Sequence, residues 1–383
     1  MQNLTPTPNN VTQNLATADR YSLTSPSLSP AQGIGFSGTH KIVPKAVTLY
    51  CQSLQSDVQQ FVQETLYNRS ANVIISPLLV KTTEQITARV MNEAGLKGDA
   101  IESEPNRLNI KNTAEGIHIQ SKRVYVDQAL ARLQIPHTTS AELRQKGYEQ
   151  ATAELNAQIT KDTQGMITDF LDAGSLENPN LAFRLVTWLL QHLSWREPFE
   201  LMDGVNSSAM TWNKIIHPEI QWMESSNNTS SITHINSEGY DFVAVPVEER
   251  GIKAVLVLPP QDATDQNSED LNRVLTDGLT LILGKTKEDQ AKLTLPKFTF
   301  DYQFTTEYPG ALASGTHKAA LTIDEQGAQV AAASCMMVSD CFIPHNERLQ
   351  FNFDRPFYFA MINQQNAKDP RVVGMARINQ PWK

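Results

Sequence analysis

The sequence predicts a single large α+β domain, helix-rich in its first half and β-dominated in its second. Three observations carry that prediction. Apolar residues recur at three- and four-residue spacing through much of the chain up to about residue 171. From about residue 185 the pattern changes to short apolar runs bounded by turn residues. No linker or internal repeat interrupts residues 45–381, so 383 residues count as one domain rather than two or three.

The first element is a helix over Val47 to Tyr67, with Leu49, Leu54, Val58, Phe61, Val62 and Leu66 on one face. Ser76-Pro77 starts the next helix, the serine as cap and the proline in the first turn. Ile117 to Val126 reads as a strand, and Ala141 to Leu171 as mostly helix with Leu155 and Ile159 on one face. Leu185 to Leu193 is an apolar run broken only by Thr187, Gln191 and His192, which suits a strand buried on both faces. Phe242 to Val247 and Ala254 to Leu258 flank a charged, Gly-containing turn and read as a hairpin. Ala319 to Asp324 alternates like a strand, and Phe351 to Met361 is rich in β-formers.

Composition narrows the function classes. Apolar residues make up 40% of the chain, enough for a substantial core, and the formal charge of −9 argues against general nucleic-acid binding. No window reads as a membrane span. Residues 1–44 are rich in Asn, Thr, Ser, Pro and Gln and read as a disordered tail without a secretory signal. The three cysteines, Cys51, Cys335 and Cys341, are too few for a disulfide framework and fit a reducing compartment, so a cytoplasmic location is expected, with secretion still open. Asn-x-Ser/Thr triplets at Asn68, Asn206 and Asn228 are accordingly read as chance. No phosphate loop, metal-spaced His/Cys set or nucleophile triad is apparent, so neither an enzyme nor a cofactor is expected.

One segment stands out. Glu325 to Ala333 (Glu-Gln-Gly-Ala-Gln-Val-Ala-Ala-Ala) is a run of small residues between two strand-like segments. A flexible linker is one reading. A segment small enough to slide between existing strands is the other.

That stretch resembles the hinge of the reactive-centre loop in serpins, and other segments resemble the family in the family's order. They are Asn72 to Leu78, Thr163 to Phe170, Leu185 to Phe199 with Trp195, Ala254 to Pro259, Leu293 to Phe298, His317 to Ala319, Phe353 to Phe357 and Gly374 to Asn379. The resemblance spans about residues 45 to 381 and implies a serpin domain over 45–383. It would have three β-sheets and an exposed reactive loop at about 325–348. It also implies a monomeric protease inhibitor acting as a suicide substrate. The target cleaves the loop, the loop enters sheet A as a new strand, and the trapped protease is distorted.

The resemblance assigns roles to residues. Glu325, Gly327, Ala328, Val330, Ala331, Ala332 and Ala333 match the hinge, in which Gly327 is expected to bend freely. Ala328, Val330, Ala332 and Ser334 share one face, and none is charged. Trp195, Lys297 and Glu325 match the breach at the top of sheet A, with a Lys297–Glu325 ion pair under the indole. Ser76, Thr187 and His317 match the hydrogen-bonded shutter, in which Thr187 replaces the usual Asn and Leu79 a second Ser. Only nineteen residues separate Lys297 from His317, so the helix usual there is expected to be mostly absent.

The target depends on the reactive bond. Asp340-Cys341 would suit a caspase or granzyme B, with Ser339, Val338 and Met337 as the preceding subsites. The pattern Cys335-x-x-Val338-x-Asp340-Cys341 resembles the loop of the poxviral caspase-inhibiting serpin, which points to a virus-like modulator of apoptosis or inflammation. Cleavage at Cys341 or Phe342 by a chymotrypsin-like serine protease, and a non-inhibitory binding protein of the same fold, remain open.

Overall fold

The structure is a computed structural model. It describes residues 45–96, 113–191, 193–226, 230–261, 267–307, 313–329, 349–366 and 369–382. Described residues from Lys45 onward belong to one compact unit, Val43–Lys383. The expected tail at 1–44 lies outside them.

The helices are α1 Lys45–Tyr67, α2 Pro77–Glu93, α3 Val124–Leu133, α4 Ser140–Lys146, α5 Tyr148–Asp162, α6 Gly204–Ala209 and α7 Ser268–Gly284. The strands are β1 Val73–Ile75, β2 Thr113–Ser121, β3 His137–Thr138, β4 Phe183–Gln191, β5 Leu193–Ser194, β6 Phe199–Leu201, β7 Gln221–Ser225, β8 Ser230–Ser237, β9 Tyr240–Val245 and β10 Ile252–Leu258. They continue with β11 Asp289–Glu307, β12 Ala313–Ile323, β13 Gly327–Gln329, β14 Leu349–Asn352, β15 Phe357–Asn363 and β16 Arg371–Ile378.

Local chemistry explains several boundaries. Ser76 caps α2 by accepting the Leu79 N–H at 3.3 Å, with Pro77 in the first turn as expected. Thr139 and Glu142 close a capping box on α4. Gly147, at φ 83°, separates α4 from α5, so the long helical stretch is two helices, and α5 stops at Asp162. The strand expected through Val126 ends at Ser121, because α3 begins at Val124.

The strands form three sheets linked by β11, which pairs with β8 at the edge of the first, with β12 in the second, and with β7 and β14 in the third. Sheet B has the order β1-β16-β15-β10-β9-β8. Sheet A has the order β11-β12-β4-β2-β3, using the second half of β11. The first half of β11 pairs with β7 and β14 to form sheet C, with β6 at its edge. β11 and β12 pair antiparallel from Phe298↔Ile323 to Glu307↔Ser314, so they are joined through the short segment 308–312, where the resemblance places a helix.

Sheets A and B share the main core, which holds Trp195, Phe298, Phe300, Leu321, Phe359 and Met361. On the far side of sheet B, α1 and α7 close a second core around Phe61, Phe242, Leu275 and Leu279. Asp57 of α1 takes a bidentate bond from Arg371 of β16, at 3.0 and 3.1 Å, and the Val372 N–H at 3.1 Å. Both side chains are buried, and every carboxylate bond is directed, which is what a desolvated ion pair needs to persist.

Candidate functional site: the seam of sheet A

Sheet A is closed at one end and split at the other. β4 and β12 run parallel and pair only at Ala313↔Phe183, Ser314↔Arg184 and Gly315↔Leu185. At the other end β13 lies between them. It pairs antiparallel with β12 through Thr322↔Gln329 and Ile323↔Ala328, and with β5 through Gly327↔Ser194 and Ala328↔Leu193. The first hinge residues are therefore already strand residues of sheet A.

Asp324 makes the reversal possible. Its carboxylate accepts the N–H groups of Gln326 and Gly327 at 2.9 and 3.1 Å, and its own N–H donates to the Gly327 carbonyl at 2.9 Å. This is an Asx-type turn. Sequence reading placed Asp324 at the end of a strand. The Asp-x-x-Gly spacing was the signal for the turn.

Gly327 does not act as a bend. Its φ is not positive, and it sits inside a strand. A β-carbon there would lie 2.0 Å from the Leu193 carbonyl oxygen. Glycine is required by close approach of two backbones. Ala328 beside it is 1% exposed and packs in the core.

The breach residues come together. Trp195 is 2% exposed, meets Phe199 edge-to-face at 5.8 Å and donates its indole N–H to the Asp324 carbonyl at 3.0 Å. The Trp195 and Phe199 amides bond the Gln326 and Glu325 carbonyls at 2.9 and 2.8 Å. Lys297 reaches the Glu325 carboxylate at 3.0 and 3.1 Å, half-buried beside these bonds. Glu249, which the sequence did not single out, accepts the Ser194 N–H with both oxygens. It holds β5, the strand opposite the hinge.

The shutter residues do not form one network. Ser76 is used as the α2 cap. Thr187 bonds Thr83 of α2 at 2.8 Å. His317 is 4% exposed and stacks on Phe304 at 4.9 Å, and among the described residues neither ring nitrogen has a hydrogen-bond partner. Burial pushes its pKa down to about 4, so the ring is neutral at pH 7. Thr187 is shorter than the Asn usual there, and it turns to Thr83.

Between the two paired ends lies a cavity of about 70 Å³. Leu190 and Gln191 of β4, Lys318 to Leu321 of β12, Ala328 of β13, and Phe359 and Met361 of sheet B line it. The segment after α5 covers it through Thr163, Met166 and Ile167.

α5 is tied to sheet A by polar groups on its inner face. Arg184 is buried and bonds Gln120, Thr152 of α5, the Asp172 carbonyl and Ser175. Burial lowers its pKa to about 10, opposed by the charge of Asp172, and the guanidinium stays protonated. Trp188 donates to Asp162 at 3.1 Å, and its ring lies flat on Gly116, where a β-carbon would be 1.9 Å from the indole.

Val330, Ala331, Ala332, Ala333, Met337, Val338, Ser339, Asp340, Cys341 and Phe342 lie outside the described residues. Among the described residues no helix is long and apolar enough to cross a membrane, and no His/Cys/Asp/Glu cluster could hold a metal.

A family model described as Serpin (serine protease inhibitor) matches residues 134–315 and 309–381. The chain belongs to the serpin family. Its relatives include a serine proteinase inhibitor of Cavia porcellus, 27% identical over 256 residues. That match covers 59% of this chain and 58% of the relative, so this chain spans under two thirds of that serpin. The alpha-1-antiproteinase of Bos taurus is 23% identical over 71% of this chain and 68% of its own length. Among solved structures, human thyroxine-binding globulin complexed with its ligand superposes with a TM-score of 0.62 at 14% identity, over 87% of this chain and 99% of that one. Serpin48 of Tenebrio molitor gives 0.61 at 14% identity, over 87% and 98%. At such identities the structures establish the serpin fold alone. Serpins are inhibitors or binding proteins rather than enzymes.

Proposed function

We propose that this serpin is a protease inhibitor that works as a suicide substrate, its cleaved reactive loop entering the seam between β4 and β12. The observation that carries this reading is β13, which already occupies the open end of the seam with Ala328 facing the cavity. A strand continuing from it would run between β12 and β4, whose direct pairing with each other stops at Gly315↔Leu185. Backbone pairing and apolar burial then drive insertion from a kinetically trapped fold.

For the target, an Asp-specific protease, a caspase or granzyme B, is the proposed class, and it rests on Asp340 in the sequence. The relatives named as antiproteinases favour a second reading, a chymotrypsin-like serine protease cutting at Cys341 or Phe342. A structural neighbour complexed with thyroxine supports a third, a non-inhibitory binding protein.

Incubation with caspase-1, caspase-8, granzyme B and chymotrypsin separates the three. Intact mass and denaturing gels look for a covalent complex, and peptide mass locates the cut. A complex with a cut after Asp340, abolished by Asp340→Ala, supports the first. A chymotrypsin complex supports the second. Cleavage with no complex from any protease rejects inhibition.

A further inference from the structure

Ser194 is held from outside sheet A. β4 pairs with β2 as far as Gln191↔Thr113. From Ser194 to Arg196 the neighbour is instead the segment Pro246 to Glu249, which leads out of β9 in sheet B. Trp195↔Val247 is an antiparallel bridge, the Glu248 N–H donates to the Ser194 carbonyl at 2.9 Å, and the Arg196 N–H donates to the Pro246 carbonyl at 3.0 Å. In a regular antiparallel ladder of this phase, Ser194 and Glu248 exchange two bonds, the second from the Ser194 N–H to the Glu248 carbonyl. Here the chain turns toward Gly251, at φ 80°, and the Glu249 carboxylate takes that second bond, at 3.0 and 3.2 Å. The other edge of the same residues serves the hinge. Leu193 and Ser194 pair with Ala328 and Gly327, and the Trp195 N–H donates to the Gln326 carbonyl.

Both Glu249 oxygens go to one backbone amide, while Arg196, which lines the same cavity, pairs with Glu288 at 3.7 Å. The place needs an acceptor more than a charge. That cavity measures about 510 Å³ and is also lined by Thr233, Arg250 and Lys253. A space of that size and polarity admits water, which can satisfy the Ser194 amide when the carboxylate is removed. Glu249 is therefore not required to satisfy a donor. A water cannot replace it as an acceptor built into the β9–β10 turn, tying this edge to sheet B.

We propose that Glu249 is a positioning residue for strand entry: its carboxylate stands in for a ladder carbonyl and fixes β5 on sheet B, so that the receiving wall keeps its register while the seam opens. This rests on the strand-entry reading above and adds to it the residue that holds the fixed end of the slot. To admit a strand, the pairing from Ala313↔Phe183 to Gly315↔Leu185 must break, and β4 must move away from β12 together with β2. β13 is bonded to both walls. If Ser194 followed β4, β13 would lose one of its partners, and the residues after it would have no fixed start from which to pair. With Ser194 tied to the β9–β10 turn, the wall opens below it alone and the register Ala328↔Leu193 is kept.

The test compares the unmodified chain with Glu249→Gln and Glu249→Ala chains. A synthetic peptide covering residues 330–339 supplies the entering strand, and its annealing is followed in time by native gel shift. Thermal midpoints without peptide are measured alongside. Glutamine keeps an acceptor oxygen and loses only the charge, so its annealing rate is expected to stay within about twofold of the unmodified rate, whereas alanine is expected to slow annealing about tenfold, the worth of one directed hydrogen bond. The peptide-free midpoints of the three chains should agree, because water replaces the lost acceptor. Unchanged or faster annealing by the alanine chain overturns the positioning role and leaves strand entry standing. Glutamine as slow as alanine rejects the acceptor role. A peptide-free midpoint that falls along with the rate makes Glu249 a structural residue only, which also overturns the proposal. No annealing by the unmodified chain overturns strand entry and the positioning role with it.

Discussion

Gly327 lies so close to Leu193 that any β-carbon on it would meet the Leu193 carbonyl oxygen at 2.0 Å. The obstacle is backbone of the neighbouring strand, which cannot rotate away. The breach thus sets a steric limit on which residue can start β13.

Gly327→Ala is expected to expel β13 from the seam at a cost of about 1–3 kcal/mol, typical of overpacking. Amide hydrogen exchange reads it directly. Protection at residues 327–329 should fall while that of β15 and β16 is unchanged. Retained protection would mean that β5 moves instead.

Ala328→Arg tests strand entry at the next residue. Ala328 is 1% exposed, and a guanidinium there has no partner in the core. Proteolysis of the loop is expected to continue while the covalent complex disappears, turning an inhibitor into a substrate. Unimpaired complex formation on denaturing gels would exclude burial of this position.

Asp57→Ala leaves Arg371 buried without its counter-charge and removes the acceptor for the Val372 amide. A loss of about 3–5 kcal/mol is expected for breaking such a pair. Chemical denaturation would show it as a lower midpoint at unchanged slope. The seam is remote in sequence from this pair, so peptide annealing should persist wherever the variant is folded.

His317 makes the fold sensitive to mild acid. Its pKa is about 4 in the folded chain, lowered by burial, against an ordinary value of 6.5. A depressed folded value means that the unfolded chain binds the proton first. Stability is therefore intact above about pH 6.5 and falls as pH drops toward 4, where the loss levels off at roughly 3 kcal/mol for this group. Unfolding midpoints at pH 7, 5.5 and 4.5 measure the slope, and His317→Phe should flatten it. An unchanged slope in that variant would assign the sensitivity to carboxylates.

Much of the architecture could be read from residue order. Periodicity located α1, the buried strand β4 and the β9–β10 hairpin, because each pattern is local and repeats within one element. The short link between β11 and β12 followed from counting nineteen residues between Lys297 and His317. Boundaries were harder. The stretch Ile117 to Val126 kept its β-branched character past Ser121, but tertiary packing of Val126 and Leu130 makes the second part a helix. Phe351 to Met361 divides into β14 and β15 around Asp354-Arg355-Pro356, which belong to different sheets.

Residue order alone determined the fold class and the run of small, uncharged residues after Glu325, since these depend on side-chain size, charge and sequential pattern, while the Lys297–Glu325 pair was implied by the resemblance to serpins and is brought together by the structure. Tertiary structure alone decided that Gly327 is chosen for close approach, that β13 already lies in sheet A, and that His317 is buried with no hydrogen-bond partner among the described residues. The physical reason is the same in each case. Proximity between β4, β12 and β13 is set by long-range pairing, and neither a distance between strands nor an unfilled hydrogen bond leaves a periodic mark on a single chain.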